Sequence, residues 1–164
     1  MNYTGDGMSE PYEERVEGQT LLRFAPGKRH EVICARLHAH VTRSLAANVT
    51  TRLLAPRTAI RLNNISTLRP DLALVTLATG RVWLAAEIIS SDDHQADTVM
   101  KKQVYEDVNV PRLWMVDPRY HNVEVYHGSP HGLTLKTILG GREILNEQLL
   151  PDFNLTIEEL FAPL

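Results

Sequence analysis

RPDLALVTLATGRVWLAAEIISSDDHQADTVMKKQVY, residues 69–105, is the stretch on which the fold turns. Asp71 opens an apolar run, Leu72-Ala73-Leu74-Val75-Thr76-Leu77, and Glu87 sits inside a second that extends from Val82 to Ile89. Short apolar runs rich in branched residues read as buried strands, and Ala78-Thr79-Gly80 between them reads as a hairpin turn. Register decides whether the two acids meet. With a three-residue loop Leu77 faces Arg81, and Asp71 stands opposite Glu87 on the same face, with Cβ atoms roughly 5 Å apart. A two-residue loop moves the pairing by one and spoils the match. Two carboxylates this close call for a cation, and Mg²⁺ typically takes one or two protein carboxylates and fills its shell with water and phosphate oxygens.

Beyond Glu87 the chain leaves the strand through Ser90-Ser91-Asp92-Asp93, which has turn and N-cap chemistry, and enters a helix expected from His94 to Asn109. Ala96, Met100, Val104 and Val108 recur every fourth residue as its buried seam. Asp97, Lys101 and Tyr105 form the neighbouring stripe, from which the Lys101 ammonium could reach the two acids and polarise a water or neutralise a phosphate. Simpler readings stand beside this one. An acid at a strand end is often just a satisfied polar group, and Asp97 with Lys101 is an ordinary i, i+4 pair worth about 0.2–0.5 kcal/mol.

Pro70-Asp71, Glu87 followed by two apolar residues and Ser90, Asp97-x-x-x-Lys101-x-x-x-Tyr105, Val110-Pro111 and Trp114-Met115-Val116-Asp117-Pro118 together resemble the Uma-two type bacterial restriction endonuclease family, a branch of the PD-(D/E)xK nuclease superfamily. The resemblance extends to Glu14-Arg15-Val16-Glu17-Gly18, to Ala25-Pro26 with His30, and to Leu150-Pro151-Asp152-Phe153 and Glu159-Leu160-Phe161. It implies an α/β, restriction-endonuclease-like fold, a mixed and mostly antiparallel sheet flanked by helices, and hydrolysis of DNA phosphodiesters with Mg²⁺ or Mn²⁺. Asp71, Glu87 and the carbonyl of Ile88 would be the metal ligands. Asp71, Glu87 and Lys101 would be the catalytic set, with Asp97 and Tyr105 orienting Lys101. In the wider superfamily the lysine follows the glutamate by two, where this chain has Ile89, and the family places it on the helix at Lys101. Lys102 lies about 100° round the helix from Lys101. Ser91-Asp92-Asp93-His94-Gln95 stands where a Pro-containing stretch is usual, and Gln19 and Leu113 stand where an acid and an aromatic are common.

Charge is unevenly placed. The net charge of −3 argues against a nucleic-acid binder, yet Arg23, Lys28, Arg29, Arg36, Arg43, Arg52, Arg57, Arg61 and Arg69 fall between Gln19 and Arg69 against the single acid Glu31. Such asymmetry fits a polyanion-facing surface, and it equally fits solvated arginines spread over unrelated elements. Arg29, Arg36 and Arg43 recur every seventh residue along the helix expected from Lys28 to Ala47, so they share a side suited to phosphate contacts. His30 heads that helix, and these four residues are the candidate substrate contacts. Ile33, Leu37, Val41 and Leu45 are the helix's buried line.

The rest of the chain reads as one domain over residues 12–164 behind a polar, Gly-rich lead-in over 1–11. Glu13–Glu17 is expected as a helical turn. Strands are expected at Thr20–Phe24, Thr51–Ala55, Ala59–Leu62, Leu113–Val116, Asn122–Tyr126 and Leu133–Leu139, and Thr156-Ile157-Glu158-Glu159 starts a terminal helix as a capping box. With 43% hydrophobic and 23% charged residues and no run of membrane-spanning length, the expected location is the cytoplasm. The single cysteine, Cys34, forms no intrachain disulfide and packs in the helix. No Gly-rich phosphate loop is present, so no nucleotide cofactor is expected. The apolar strands after Asn122 predict a homodimer through exposed edges. Two functions from different classes remain: a metal-dependent endonuclease on DNA, with RNA or branched DNA as variants, and a catalytically idle nucleic-acid-binding or interaction protein with the same fold.

Overall fold

The computed structural model describes residues 10–48, 50–90 and 94–163. Most of the expected lead-in, and the Ser91-Asp92-Asp93 turn, lie outside the described residues. The chain opens with a hairpin rather than the helical turn expected at Glu13–Glu17: β1 (Tyr12–Val16) pairs antiparallel with β2 (Gln19–Arg23). Glu14 and Val16 point inward while Glu13 and Arg15 face solvent, an alternation of two that no helix tolerates. Glu17 and Gly18 turn the chain with φ of 51° and 84°, the positive values a two-residue hairpin needs.

Helix α1 (Lys28–Ser44) follows, and then β3 (Thr51–Leu53), β4 (Ile60–Asn63), β5 (Ser66–Leu68), β6 (Leu72–Thr76) and β7 (Val82–Ile88). A π-helical turn over Ala96–Lys101 runs into α2 (Lys102–Asp107), followed by β8 (Arg112–Asp117), β9 (Asn122–Ser129), β10 (Gly132–Gly140), β11 (Ile144–Glu147), β12 (Leu150–Thr156) and α3 (Ile157–Leu160). Thr156 caps α3, its hydroxyl accepting the Glu159 N–H.

The strands form a six-stranded sheet in the order β10-β9-β8-β7-β6-β3, a four-stranded sheet β2-β1-β5-β4, and the pair β11-β12. Only β7 and β8 run parallel, because the connection between them is the crossover that holds the π turn and α2. Alternation along β7 divides the interior. Leu84, Ala86 and Ile88 join α1 residues Ile33, Leu37 and Val41 in one core. Ala85 and Ile89 join Val104, Tyr105, Val16 and Leu68 in the other, on the opposite face of the sheet.

The β6–β7 hairpin keeps the expected register by a different route. Thr76 N–H bonds to Arg81 O, so the loop has four residues, and an irregularity after Leu74 restores the pairs Leu74 with Leu84 and Leu72 with Ala86. The extra residue sits on β7 as a bulge at Trp83, which cancels the shift that the longer loop introduces. Asn122–Tyr126, expected to be an outer strand, is interior: β9 lies between β8 and β10, and β10 is the edge.

Candidate active site

The register continues past Leu72 and Ala86, so Asp71 and Glu87 are the next facing positions. Asp71 Oδ2 accepts the Ile88 N–H at 2.8 Å. Its Oδ1 accepts from Arg57 Nη1 at 3.0 Å and faces His30 Nε2 at 3.4 Å. Arg57 also bonds Glu31 at 2.8 Å, and its backbone holds φ at 58°, a left-handed conformation that the Cβ of any non-glycine residue disfavours, with its N–H bonded to Pro70 O.

On β7, Glu87 Oε1 accepts from Lys101 Nζ at 2.6 Å and Oε2 accepts from the Tyr105 hydroxyl. The other side of the ammonium meets Glu14 Oε2 at 2.7 Å. Glu14 comes from β1, in the smaller sheet, and also accepts from Arg23 Nη1 at 2.6 Å and from the Arg69 N–H at 2.7 Å. Arg23 continues to Asp97 Oδ1 at 2.9 Å, and Asp97 Oδ2 takes the Ser90 N–H at 2.9 Å. The two sheets and the π turn are thus joined through alternating charges. Glu14, Asp71, Glu87, Asp97 and Lys101 are all at most 3% exposed, which makes this network part of the interior and not a solvated rim.

Several expectations change. Lys101 is wholly buried, and its partners are Glu14 and Glu87, not Asp97. Tyr105 donates to Glu87 and Asp97 serves Arg23 and Ser90, so neither is bonded to Lys101 as the orienting role required. The charged stripe on this helix points inward beside Ala96 and Val104, while Met100 and Val108 of the expected seam are only partly buried. Lys102, by contrast, lies over the Tyr126 ring at 4.3 Å, away from the acids.

Charge shapes each proton affinity. Burial raises the Asp71 carboxyl, but His30, then Lys101 and Arg57, prevail and hold it below the usual carboxylate range. Burial pushes the Glu87 carboxyl up, against Lys101, which lowers it, and with Glu14 and Asp71 adding to the rise. Burial lowers His30, yet Asp71 and Glu31 lift it to about 10. Lys101 is raised by Glu14, Glu87 and Asp97 despite desolvation, so it stays an ammonium.

A cleft of about 270 Å³ opens above Asp71 and Ile88. Ile88, Ile89 and Ser90 bring the carboxyl end of β7 to it, Pro118 and Arg119 that of β8, and His30 the first turn of α1. Ligands bind in this position, outside the carboxyl ends of parallel strands, in open α/β sheets generally. Of the three arginines spaced by seven, only Arg29 lines the cleft, where its guanidinium meets His121 Nε2 at 2.8 Å. Arg36 donates instead to the carbonyls of Leu160, Ala162 and Pro163, clasping the C-terminal segment. Arg43, fourteen residues beyond Arg29, is about 21 Å further along the helix axis. Glu14, Arg23 and Arg57 belong to the network, and Tyr12 lines the cleft, although none was a candidate from sequence. The alternation Tyr12, Glu14, Val16 was the available signal for Glu14.

The donors suit a hard divalent cation in kind: oxygen atoms only, from carboxylates. Around Asp71 and Glu87 the described residues place five carboxyl groups, Glu14, Glu31, Asp71, Glu87 and Asp97, among four cationic groups, Arg23, Arg57, Lys101 and the raised His30, so positive charge nearly matches the acids. No group of three or more His, Cys, Asp or Glu among the described residues forms a ready cage. A hard divalent ion typically takes one or two protein carboxylates and completes its shell with water and substrate oxygens.

Residues 6–158 match the family model Uma2, described as "Putative restriction endonuclease". No curated protein matches the chain. Among solved structures it is similar to a protein from Anabaena variabilis ATCC 29413 described as "a putative nuclease belonging to DUF820", at 16% identity and a TM-score of 0.78, over 93% of this chain and 91% of that one. At that identity the likeness is one of fold. No described helix is long and apolar enough to cross a membrane.

Proposed function

The chain belongs to the Uma2 restriction endonuclease family, and from that premise we propose that it is a metal-dependent endonuclease acting on DNA. The observation that carries this reading is the facing of Asp71 and Glu87 across β6 and β7 in a buried charge network, with Asp71 reaching a cleft whose lining includes Arg29, His30 and Arg119. Asp71 and Glu87, with the Ile88 carbonyl, would hold Mg²⁺ or Mn²⁺. Bound there, the ion supplies a Lewis acid that lowers the pKa of a water and offsets charge on the phosphate.

The chain's own groups do the rest. Lys101 stays charged, so it cannot accept a proton from water; it fixes the Glu87 and Glu14 carboxylates and contributes a preorganised positive potential. Tyr105 locks the second Glu87 oxygen. Arg29 and His30 stand where a phosphate would enter, beside the first turn of α1, which has no side-chain cap and whose N–H dipoles favour an anion. The idle-binder reading has one observation in its favour: Asp71 and Glu87 are already engaged by Arg57, His30, Lys101 and Tyr105.

Nicking of supercoiled plasmid separates the two. Wild type should nick with Mg²⁺ or Mn²⁺ and stop on addition of EDTA; a protein that nicks with no divalent ion at any concentration is an idle binder or acts on another substrate. A homodimer is the proposed assembly, built on the free edge of β10, where Leu135 and Ile138 are exposed. Sedimentation should give a dimer at micromolar concentration, and a monomer there would remove it.

A further inference from the structure

The cleft says more about the substrate than the acids at its floor. At about 270 Å³ it lies at the small end of the range for small-ligand pockets, roughly 300–1,000 Å³. Its mouth is furnished with flat groups. Phe24, at the end of β2, lines the cleft and leaves 68% of its surface in solvent. Arg119 lines the same cleft with a guanidinium that is fixed: Nε and Nη2 meet the two Asp117 oxygens at 3.1 and 3.0 Å, and the group lies over the Tyr120 ring at 5.1 Å. Tyr120 is itself 69% exposed. The first turn of α1 and the β8–β9 turn meet through the contact of Arg29 with His121 at 2.8 Å.

An exposed phenyl ring and a braced guanidinium lining one polar cleft offer stacking faces to a planar partner, and they do so without reading its edges. Bases in single strands expose such faces, and bases in a duplex do not. We propose that the site takes a single-stranded segment of DNA, with the base next to the cleft stacked on Phe24 and the neighbouring one on the Arg119–Tyr120 platform. This deepens the nuclease reading and rests on it: the strand to be cut is recognised unpaired, as in an overhang, a flap or a locally opened duplex.

Fluorescence anisotropy tests it, with a labelled oligonucleotide and its duplex at one fixed salt concentration, in EDTA and in calcium. Wild type should bind the single strand more tightly than the duplex. Phe24→Ala should weaken single-strand binding about 5- to 100-fold, the range for loss of one base–aromatic stack, and Phe24→Trp should retain it. Leu22 is 70% exposed on the same strand but is not a lining residue, so Leu22→Ala should stay within about twofold of wild type if stacking, and not general apolar surface, is at work. Both positions are exposed, and thermal melts should show all variants folded. Duplex bound as well as or better than single strand, equal losses in Phe24→Ala and Leu22→Ala, or no binding of either DNA would overturn the proposal. Metal-supported plasmid cleavage unaffected by Phe24→Ala would also overturn it while leaving the nuclease reading in place. Phe24-dependent single-strand binding without cleavage of any DNA would support the cleft assignment and remove the nuclease reading instead.

Discussion

Lys101 shows most plainly how position changes a residue's meaning. As one member of an exposed i, i+4 pair it would contribute a few tenths of a kcal/mol; buried between Glu14 and Glu87 it neutralises two carboxylates that have no access to water. Removing one partner of a buried pair typically costs about 3–5 kcal/mol, because the remaining charge has lost its compensation. Lys101→Ala should therefore lower unfolding free energy by about that amount in denaturant titration. Lys102→Ala, which gives up only a cation–π contact over Tyr126, should lose about 1 kcal/mol or less. A Lys101→Ala protein as stable as wild type would mean that the ammonium is not in the interior. Since that variant is expected to be weakened as a fold, its loss of cleavage counts as a loss of chemistry only at a temperature where melts show it folded. Glu14 is the counterpart on the other sheet, and Glu14→Gln should mimic part of the Lys101→Ala stability loss without adding to it fully in the double variant, because the two share one interaction.

At the level of elements, one close approach of backbones shows how tightly the frame is packed. Gly128, in β9, has Val110 O where a Cβ would stand, 2.0 Å from it, so Gly128→Ala must push β9 and the α2–β8 connection apart. Overpacking of this kind costs about 1–3 kcal/mol, whereas Gly27→Ala, with nothing within 4 Å, should cost far less. Chemical denaturation of the two variants side by side checks the difference, and equal stabilities would contradict the packing. The elements also show what a sequence reveals. The β6–β7 hairpin was legible because apolar runs bounded by turn residues announce strands, and Asp71 and Glu87 were legible because period and register place them together. The loop length was not, since a four-residue loop and a bulge at Trp83 compensate each other and leave no mark in the pattern. The inward face of the 94–109 helix was misjudged for a physical reason: apolar residues were taken to define the interior, but here Asp97, Lys101 and Tyr105 are paired with groups from three other segments, contacts no local pattern encodes. β1 was missed because Glu14 and Arg15 break an apolar alternation, when Glu14 is the inward residue. Arg57 reaches Asp71 from a left-handed backbone position that no arginine announces.

The whole molecule is two sheets held against each other by charge as well as by the core of Val16, Leu68 and Tyr105. The cleft opens where the sheets, the head of α1 and the carboxyl ends of β7 and β8 converge, with Glu87 carried by β7 and Asp71 by the residue that leads into β6. The central claim is that Asp71 and Glu87 hold the ion that cleaves DNA, and the Mn²⁺-supported nicking rate of Asp71→Asn relative to wild type tests it most directly. The amide oxygen can still accept the Ile88 N–H, but the NH₂ then faces Arg57 and His30, so the rate is read at a temperature where melts show the variant folded. The account predicts a folded protein that nicks at least ~10²–10³-fold more slowly, the scale on which loss of one preorganised electrostatic group is felt. A folded Asp71→Asn protein that nicks as fast as wild type would contradict it.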